Sequence, residues 1–296
     1  MDFLKVAATS SEMFQRMVER ALSAKTDPKS VAGILSGTSV GLFFMKPSTR
    51  TRISSEIGCR QLGADVVVLK DSEVGLGGRE TPEDVARVLD RYLDVLALRV
   101  FAHDGLEVMA ANATAPVINL LSDAEHPCQA VADLLTVVEN ADPQTSSLAY
   151  IGDGNNVSHS LMVAATMMGM SVRVATPSGY EPNAEYVTAA RNHGSVDLTN
   201  DPSAAIDGVD FVYTDVWTSM GQEAEAQTRL NDFAGFCVDE DLFAKAASDA
   251  KFLHCLPAHR GKEVSHGVME HERSRVFDQA ENRLHAFKAV LLESVS

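Results

Sequence analysis

Ser48, Thr49, Arg50, Thr51 and Arg52 gather hydroxyl and guanidinium groups in one unbroken run. Hydroxyls donate to phosphate oxygens, and guanidinium forks match them two at a time. An apolar run, Val40 to Met45, precedes the group and reads as a buried strand, while Ile53 and Ile57 follow at helical spacing. The run therefore falls where a strand turns into a helix. A helix start leaves backbone N–H groups without intrahelical partners at the positive end of the dipole, and Ser48 is suited to the N-cap. Together these features predict an anion site, most naturally one for phosphate. The same residues would also serve an ordinary capped helix carrying two solvated arginines.

Five other places carry usable chemistry. Arg99 ends an apolar strand, Val95 to Phe101. His126 and Gln129 stand three apart at a helix start marked by Pro127, so they share a face and can both hydrogen-bond a carbonyl or a leaving group. Thr214-Asp215-Val216-Trp217-Thr218-Ser219-Met220-Gly221 follows a strand and puts a carboxylate at a sheet's C-terminal edge, where α/β proteins bind ligands; Asp215 suits a cationic amine. His254-Cys255-Leu256-Pro257 closes the strand read over Phe252 to Leu256 with a thiol. A cysteine nucleophile would fit there, but neither a Gly-x-Ser-x-Gly elbow nor a cysteine-hydrolase signature accompanies it. Arg283 opens the last helix, Glu281 to Leu292, where a solvated arginine is the default. Each of these also has an ordinary structural use as a cap, turn or core residue.

Ile151-Gly152-Asp153-Gly154-Asn155-Asn156 imitates a dinucleotide fingerprint. It lacks the third glycine, and the next strand, Val172 to Ala175, ends in Thr176-Pro177 without an acid to hold a ribose. Asn155 and Asn156 suit a polar small molecule instead, although turn formation alone accounts for an asparagine here.

The elements that must position these residues alternate. Helices are read over Ser11 to Ala24, from Pro82 through Tyr92, through Val138, over Ser160 to Met168 and over Ala184 to Arg191. Strands are read at Val40 to Met45, Ala64 to Leu69, Val95 to Phe101, Pro116 to Leu121, Leu148 to Ile151, Val172 to Ala175, Phe211 to Thr214 and Phe252 to Leu256. Alternation of this kind implies α/β architecture with two parallel sheets flanked by helices. The polar break Asn140 to Ser146 divides a first domain, 1–140, from a second, 146–280. Val74 to Glu80 is glycine-rich and reads as a mobile loop.

At 296 residues the chain has room for two cores. Its net charge of −16 argues against nucleic acid and anionic membrane as bulk partners, which makes the local gathering of Lys46, Arg50 and Arg52 more informative. No apolar run reaches the roughly 18–20 residues that span a bilayer, and Met1 to Lys5 lacks the start of a signal peptide. Cys59, Cys128, Cys237 and Cys255 are too scattered for a metal-binding pattern and read as free thiols of a cytoplasmic protein.

Taken in order, Ser48 to Arg52, Arg99, His126-Pro127-Cys128-Gln129, Asp153 to Asn156, Asp215 to Gly221, His254 to Pro257 and Glu281 to Arg283 resemble the aspartate/ornithine carbamoyltransferase family nearly end to end. Ser219-Met220-Gly221 and His254 to Pro257 look like its ornithine branch. The resemblance implies one domain for carbamoyl phosphate and one for the amino acid, with a last helix, 281–296, crossing back to the first domain. It implies a trimer and neither metal nor organic cofactor. It assigns Ser48, Thr49, Arg50, Thr51, Arg99, His126, Gln129, Cys255, Leu256 and Arg283 to carbamoyl phosphate, and Asn156, Asp215, Ser219 and Met220 to ornithine. Arg50, Arg99, His126 and Cys255 would be the catalytic groups, while Arg52 supports its loop. Gly75 stands where a neighbouring subunit's loop often offers a polar side chain; Arg79 or a backbone amide would have to replace it.

Overall fold

Phe14, Met17, Val18, Ala21 and Ala24 recur at helical spacing and bury one side of α1 (Ser11–Thr26), which starts where the Ser10 hydroxyl accepts from the Met13 N–H. In the computed structural model, which describes residues 1–76, 78–218 and 223–296, this helix opens the first of two compact units. That unit comprises Met1–Leu135 and Glu281–Ser296; the second is Thr136–Ala280.

The first unit continues with β1 (Ser39–Phe44), α2 (Thr49–Leu62), β2 (Asp65–Lys70), the single turn α3 (Asp71–Val74), α4 (Pro82–Leu89), β3 (Val95–Arg99), α5 (His103–Asn112), β4 (Val117–Leu121) and α6 (Pro127–Asn140). Its four strands lie parallel in the order β2-β1-β3-β4. Phe43, Leu96 and Leu98 face Val85, Ala86, Leu106 and Met109, so α4 and α5 seal one side of the sheet. Within the glycine-rich stretch, of which Gly77 lies outside the described residues, Gly75 takes a φ of 69° and caps α3, and the Arg79 guanidinium donates to the Glu73 carbonyl at 2.7 Å.

The second unit carries β5 (Ser147–Ile151), α7 (Asn156–Met167), β6 (Ser171–Ala175), α8 (Ala184–Arg191), β7 (Val196–Thr199), α9 (Pro202–Ile206), β8 (Phe211–Thr214), α10 (Ala226–Asp232), α11 (Glu240–Phe243), β9 (Lys251–His254) and α12 (His266–Met269). Its strands are parallel in the order β7-β6-β5-β8-β9. The edge strand β7 escaped the sequence reading because its four residues include exposed Asp197 and Leu198. Phe233, Phe236, Trp217, Phe243 and Phe252 form the aromatic heart of this unit's core.

The last helix, α13 (Val276–Val295), starts earlier than Glu281, and from Glu281 onward it belongs to the first unit. There Asn282 accepts from Lys25 at 2.8 Å, Glu293 pairs with Arg16 and Arg20, and buried Lys288 donates to Gln61 at 3.1 Å. A Cβ at Gly58 would stand 3.0 Å from Phe287 and 3.4 Å from Lys288, so glycine lets α2 and α13 approach closely. That contact turns the Gly58 side of α2 inward and leaves Ile53 and Ile57 exposed, although their spacing suggested an apolar face. Among the described residues no helix is long and apolar enough to cross a membrane.

Candidate active site

In an open parallel sheet, ligands bind beyond the strand ends where the strand order reverses. In the first unit that place lies between β1 and β3. Their register pairs Phe44 with Arg99, and the Met45 N–H donates to the Arg99 carbonyl at 2.9 Å. The turn after β1 and the Arg99 side chain thus share one sheet edge. Ser48 caps α2, its hydroxyl accepting from the Thr51 N–H at 3.3 Å. Arg50 is exposed, while Arg52 lies 3.8 Å from Glu56 one turn on and so steadies the helix.

His126 is buried just ahead of α6. Burial holds its pKa well below the usual imidazole range, and the positive charges of Arg283 and Arg99 push it the same way. It is a neutral ring at neutral pH, able to hydrogen-bond a carbonyl but not to supply charge. Arg283, expected by default in solvent, is only 6% exposed. Its fork donates to Gln129 Oε1 at 2.6 Å and to Thr51 Oγ1 at 3.0 Å. The Gln129 amide nitrogen donates in turn to Asp133 Oδ1 at 2.7 Å. Residues far apart in sequence are therefore bonded into one buried polar chain.

In the second unit the reversal lies between β5 and β8. Register pairs Ile151 with Thr214 and Thr214 with His254. The next residues along β8 and β9, Asp215 and Cys255, consequently meet. The Cys255 thiol donates to Asp215 Oδ1 at 3.0 Å, and the Asn155 amide donates to Oδ2 at 3.2 Å. Asn155 also caps α7, accepting from the Val157 and Ser158 N–H groups, so the helix begins at Asn156 rather than near Ser160. β9 ends at His254, short of the predicted Leu256, because Leu256 adopts a φ of 57° that no extended strand allows.

Several participants were not singled out by the sequence reading. The Tyr150 hydroxyl lies 3.5 Å from Asn155 Oδ1; burial raises its pKa, and Asp215 and Asp153 add to the effect. Arg229 donates to Asp153 Oδ2 at 2.8 Å and to the Trp217 carbonyl at 2.9 Å, bracing the segment that carries Asp215. Even so, burial outweighs that ion pair and lifts the Asp153 pKa to about 6. His254 Nδ1 accepts from the Leu256 N–H at 2.9 Å, and its other nitrogen lies 3.4 Å from buried Glu263. Asp215, His254 and Cys255 offer ligand atoms within 4.8 Å of one another, the arrangement a cation would need. A cation there would have to displace the thiol–carboxylate bond and the Leu256–His254 bond.

The glycines of the 152–156 turn have a packing role. The Gly154 N–H donates to the Tyr180 carbonyl at 2.9 Å, and a Cβ on Gly154 would collide with the backbone of Tyr180, Glu181 and Pro182. The chain itself fills the place that a dinucleotide's phosphates would take.

Comparison with known proteins matches these two units to two paired models: the carbamoyl-P binding domain of aspartate/ornithine carbamoyltransferase over residues 1–139, and the Asp/Orn binding domain over residues 144–293. The chain belongs to the aspartate/ornithine carbamoyltransferase family. It is 48% identical to an ornithine carbamoyltransferase of Anoxybacillus flavithermus, over 98% of this chain and 95% of that one. A relative of the same description from Thermococcus kodakarensis is 50% identical over 87% of this chain and 84% of its own. The solved ornithine carbamoyltransferase of Pyrococcus furiosus superposes with a TM-score of 0.94 at 45% identity, covering 98% and 95% of the two chains. Against this family's pattern, Ser48, Thr49, Arg50, Thr51, Arg99, His126, Gln129 and Arg283 fall in the first unit, and Asn156, Asp215, Cys255 and Leu256 in the second. Hydrogen bonds join Thr51, Arg283 and Gln129, and join Asp215 with Cys255. Ser219 and Met220 lie outside the described residues.

Proposed function

We propose that the chain transfers the carbamoyl group of carbamoyl phosphate to the δ-amine of L-ornithine, giving L-citrulline and phosphate. The observation that carries this reading is the pair of unlike switch-point sites in one chain: hydroxyls and guanidinium groups after β1, and a carboxylate after β8 bonded to a thiol after β9. The first unit holds carbamoyl phosphate. Ser48, Thr49, Arg50, Thr51 and the start of α2 take its phosphate; Arg99, His126, Gln129 and Arg283 take its carbamoyl group, with Cys255 and Leu256 completing the site. The second unit holds ornithine through Asn156, Asp215, Ser219 and Met220.

The ornithine δ-amine resembles a lysine amine, with a free pKa near 10.4, and must lose a proton before it attacks. Asp215 and Cys255 position it and are the two candidates to receive that proton. Attack on the carbamoyl carbon develops negative charge on its oxygen, stabilised by Arg99, Thr51 and the neutral His126 ring as preorganised donors. Phosphate then leaves toward Arg50 and the α2 N-terminus, which neutralise it.

Citrulline formation from carbamoyl phosphate, measured with ornithine beside putrescine, lysine and N-acetylornithine, tests the reading. Saturable turnover highest on ornithine is the expected result. Turnover on another amine would overturn the ornithine assignment, and none on any amine in folded protein would overturn the reaction. The proposed assembly is a homotrimer in the cytoplasm. Light scattering at three chain masses checks it.

A further inference from the structure

Gln129 is held from both ends by groups that each tolerate one orientation. Arg283 can only donate, so the amide atom facing it at 2.6 Å is the oxygen; a carboxylate accepts, so the atom facing Asp133 at 2.7 Å is the nitrogen. Gln129 and Asp133 are each 1% exposed. A buried amide fixed in this way cannot flip without facing donor to donor at one end and acceptor to acceptor at the other.

We propose that Asp133 is a positioning residue for donor specificity: by holding the Gln129 amide nitrogen it keeps Oε1 as the face that reads the donor, so the site takes a carbamoyl –NH2 in preference to a methyl group. The inference rests on the carbamoyl phosphate reading of the first unit. A carbonyl oxygen has two lone pairs, and Arg283 uses one of them. The second accepts from the carbamoyl –NH2. Acetyl phosphate has the same shape around the reacting carbon but offers no donor, and it would leave that buried lone pair unmet. Sites that hydrogen-bond a substrate group reject the analogue lacking it for this reason. Asp133 lies one helical turn beyond Gln129 and reaches the donor through that amide.

The experiment compares acetyl phosphate, as a competitive inhibitor, with carbamoyl phosphate as substrate. Citrulline formation by the unaltered protein comes first, and its absence would overturn the functional reading independently of Asp133. With turnover in hand, the ratio of the acetyl phosphate Ki to the carbamoyl phosphate KM is measured in variants, with inhibition by inorganic phosphate as the check on the rest of the site. Asp133→Ala should lower that ratio about tenfold, the size of one lost hydrogen bond, while the phosphate Ki and the ornithine KM stay within about twofold. Asp133→Asn, whose Oδ1 still accepts, should keep the ratio within about threefold. A ratio unchanged in Asp133→Ala, or lost equally in Asp133→Asn, overturns the proposal. If Asp133→Ala does not fold, an exchanged pair decides it. Gln129→Glu alone sets two carboxylates face to face and should lose the ratio, whereas Gln129→Glu with Asp133→Asn restores one acceptor and one donor and should recover it; failure to recover overturns the proposal.

Discussion

The turn after β1 and the turn after β5 are built alike and stand in unlike surroundings. Each follows a parallel strand at a reversal of strand order, and each starts a helix from a capping side chain, Ser48 in one and Asn155 in the other. Around the first stand Arg50, Arg99 and Arg283; around the second stand Asp215 and Asp153, the latter paired with Arg229. The second also has its glycine pressed against residues 180–182, which fill the space beside Gly154. Glycines at such a junction do not by themselves make a phosphate site. The sign of the side chains at the sheet edge and the room above the turn set what each turn presents to a ligand.

The strongest way to break this contrast is to remove the cation from the first turn. Arg50→Ala should lower kcat/KM for carbamoyl phosphate by roughly a hundredfold to a thousandfold, as loss of one stabilising donor does, with the ornithine KM within about threefold in steady-state kinetics. Near-normal activity would remove Arg50 from the mechanism.

The acid of the second turn gives a pH signature. Asp153 faces Arg229, Asp215, Glu225 and Tyr150, and its pKa rises from 3.8 in a free carboxyl to about 6. Between about pH 4 and pH 6 the folded chain therefore holds a proton that the unfolded chain has released. Its contribution to stability is fully present below about pH 4 and is lost as pH rises toward 6, a change of about 3 kcal/mol. Urea unfolding of Asp153→Asn across that window should lack this slope when compared with the unaltered protein.

Smaller effects sharpen the comparison. Gly154→Ala forces a methyl group into the backbone of 180–182 and should cost about 1–3 kcal/mol of stability by overpacking, read as a lower urea midpoint. Ser48→Ala and Asn155→Ala each remove a cap and should each cost about 1 kcal/mol. Their kinetics should divide: the first raises the KM for carbamoyl phosphate, and the second, which also loses a bond to Asp215, raises the KM for ornithine.

Most of the fold was legible because its signals are local. Apolar runs of strand length, caps and the strand–helix alternation gave both parallel sheets, and Ser48 was readable as a cap from its neighbours alone. The site was legible as a set of residues but not as a set of bonds. Arg283 looked like a surface arginine on a helix, and only the packing of α13 against α2, permitted by Gly58, buries it beside Thr51. Tyr150 reads as a core aromatic, and Arg229 joins Asp153 across a sequence gap that no periodicity reveals. Asp133 did carry a local signal, an acid one turn beyond a glutamine in an apolar helix, but its meaning depends on Arg283 at the other end of the amide. Ile53 and Ile57 show the limit of spacing: it gives the element but not which face is inward.

The return of α13 to the first unit also sets an order on the making of the protein. Residues from Glu281 onward are synthesised after the whole of Thr136–Ala280, yet Arg283 supplies the fork that ties Thr51 to Gln129. A nascent chain on the ribosome thus lacks the bonds that join Thr51 to Gln129 until its last helix has been made. The buried polar chain of the first unit is therefore completed only after the whole of the second unit has been synthesised.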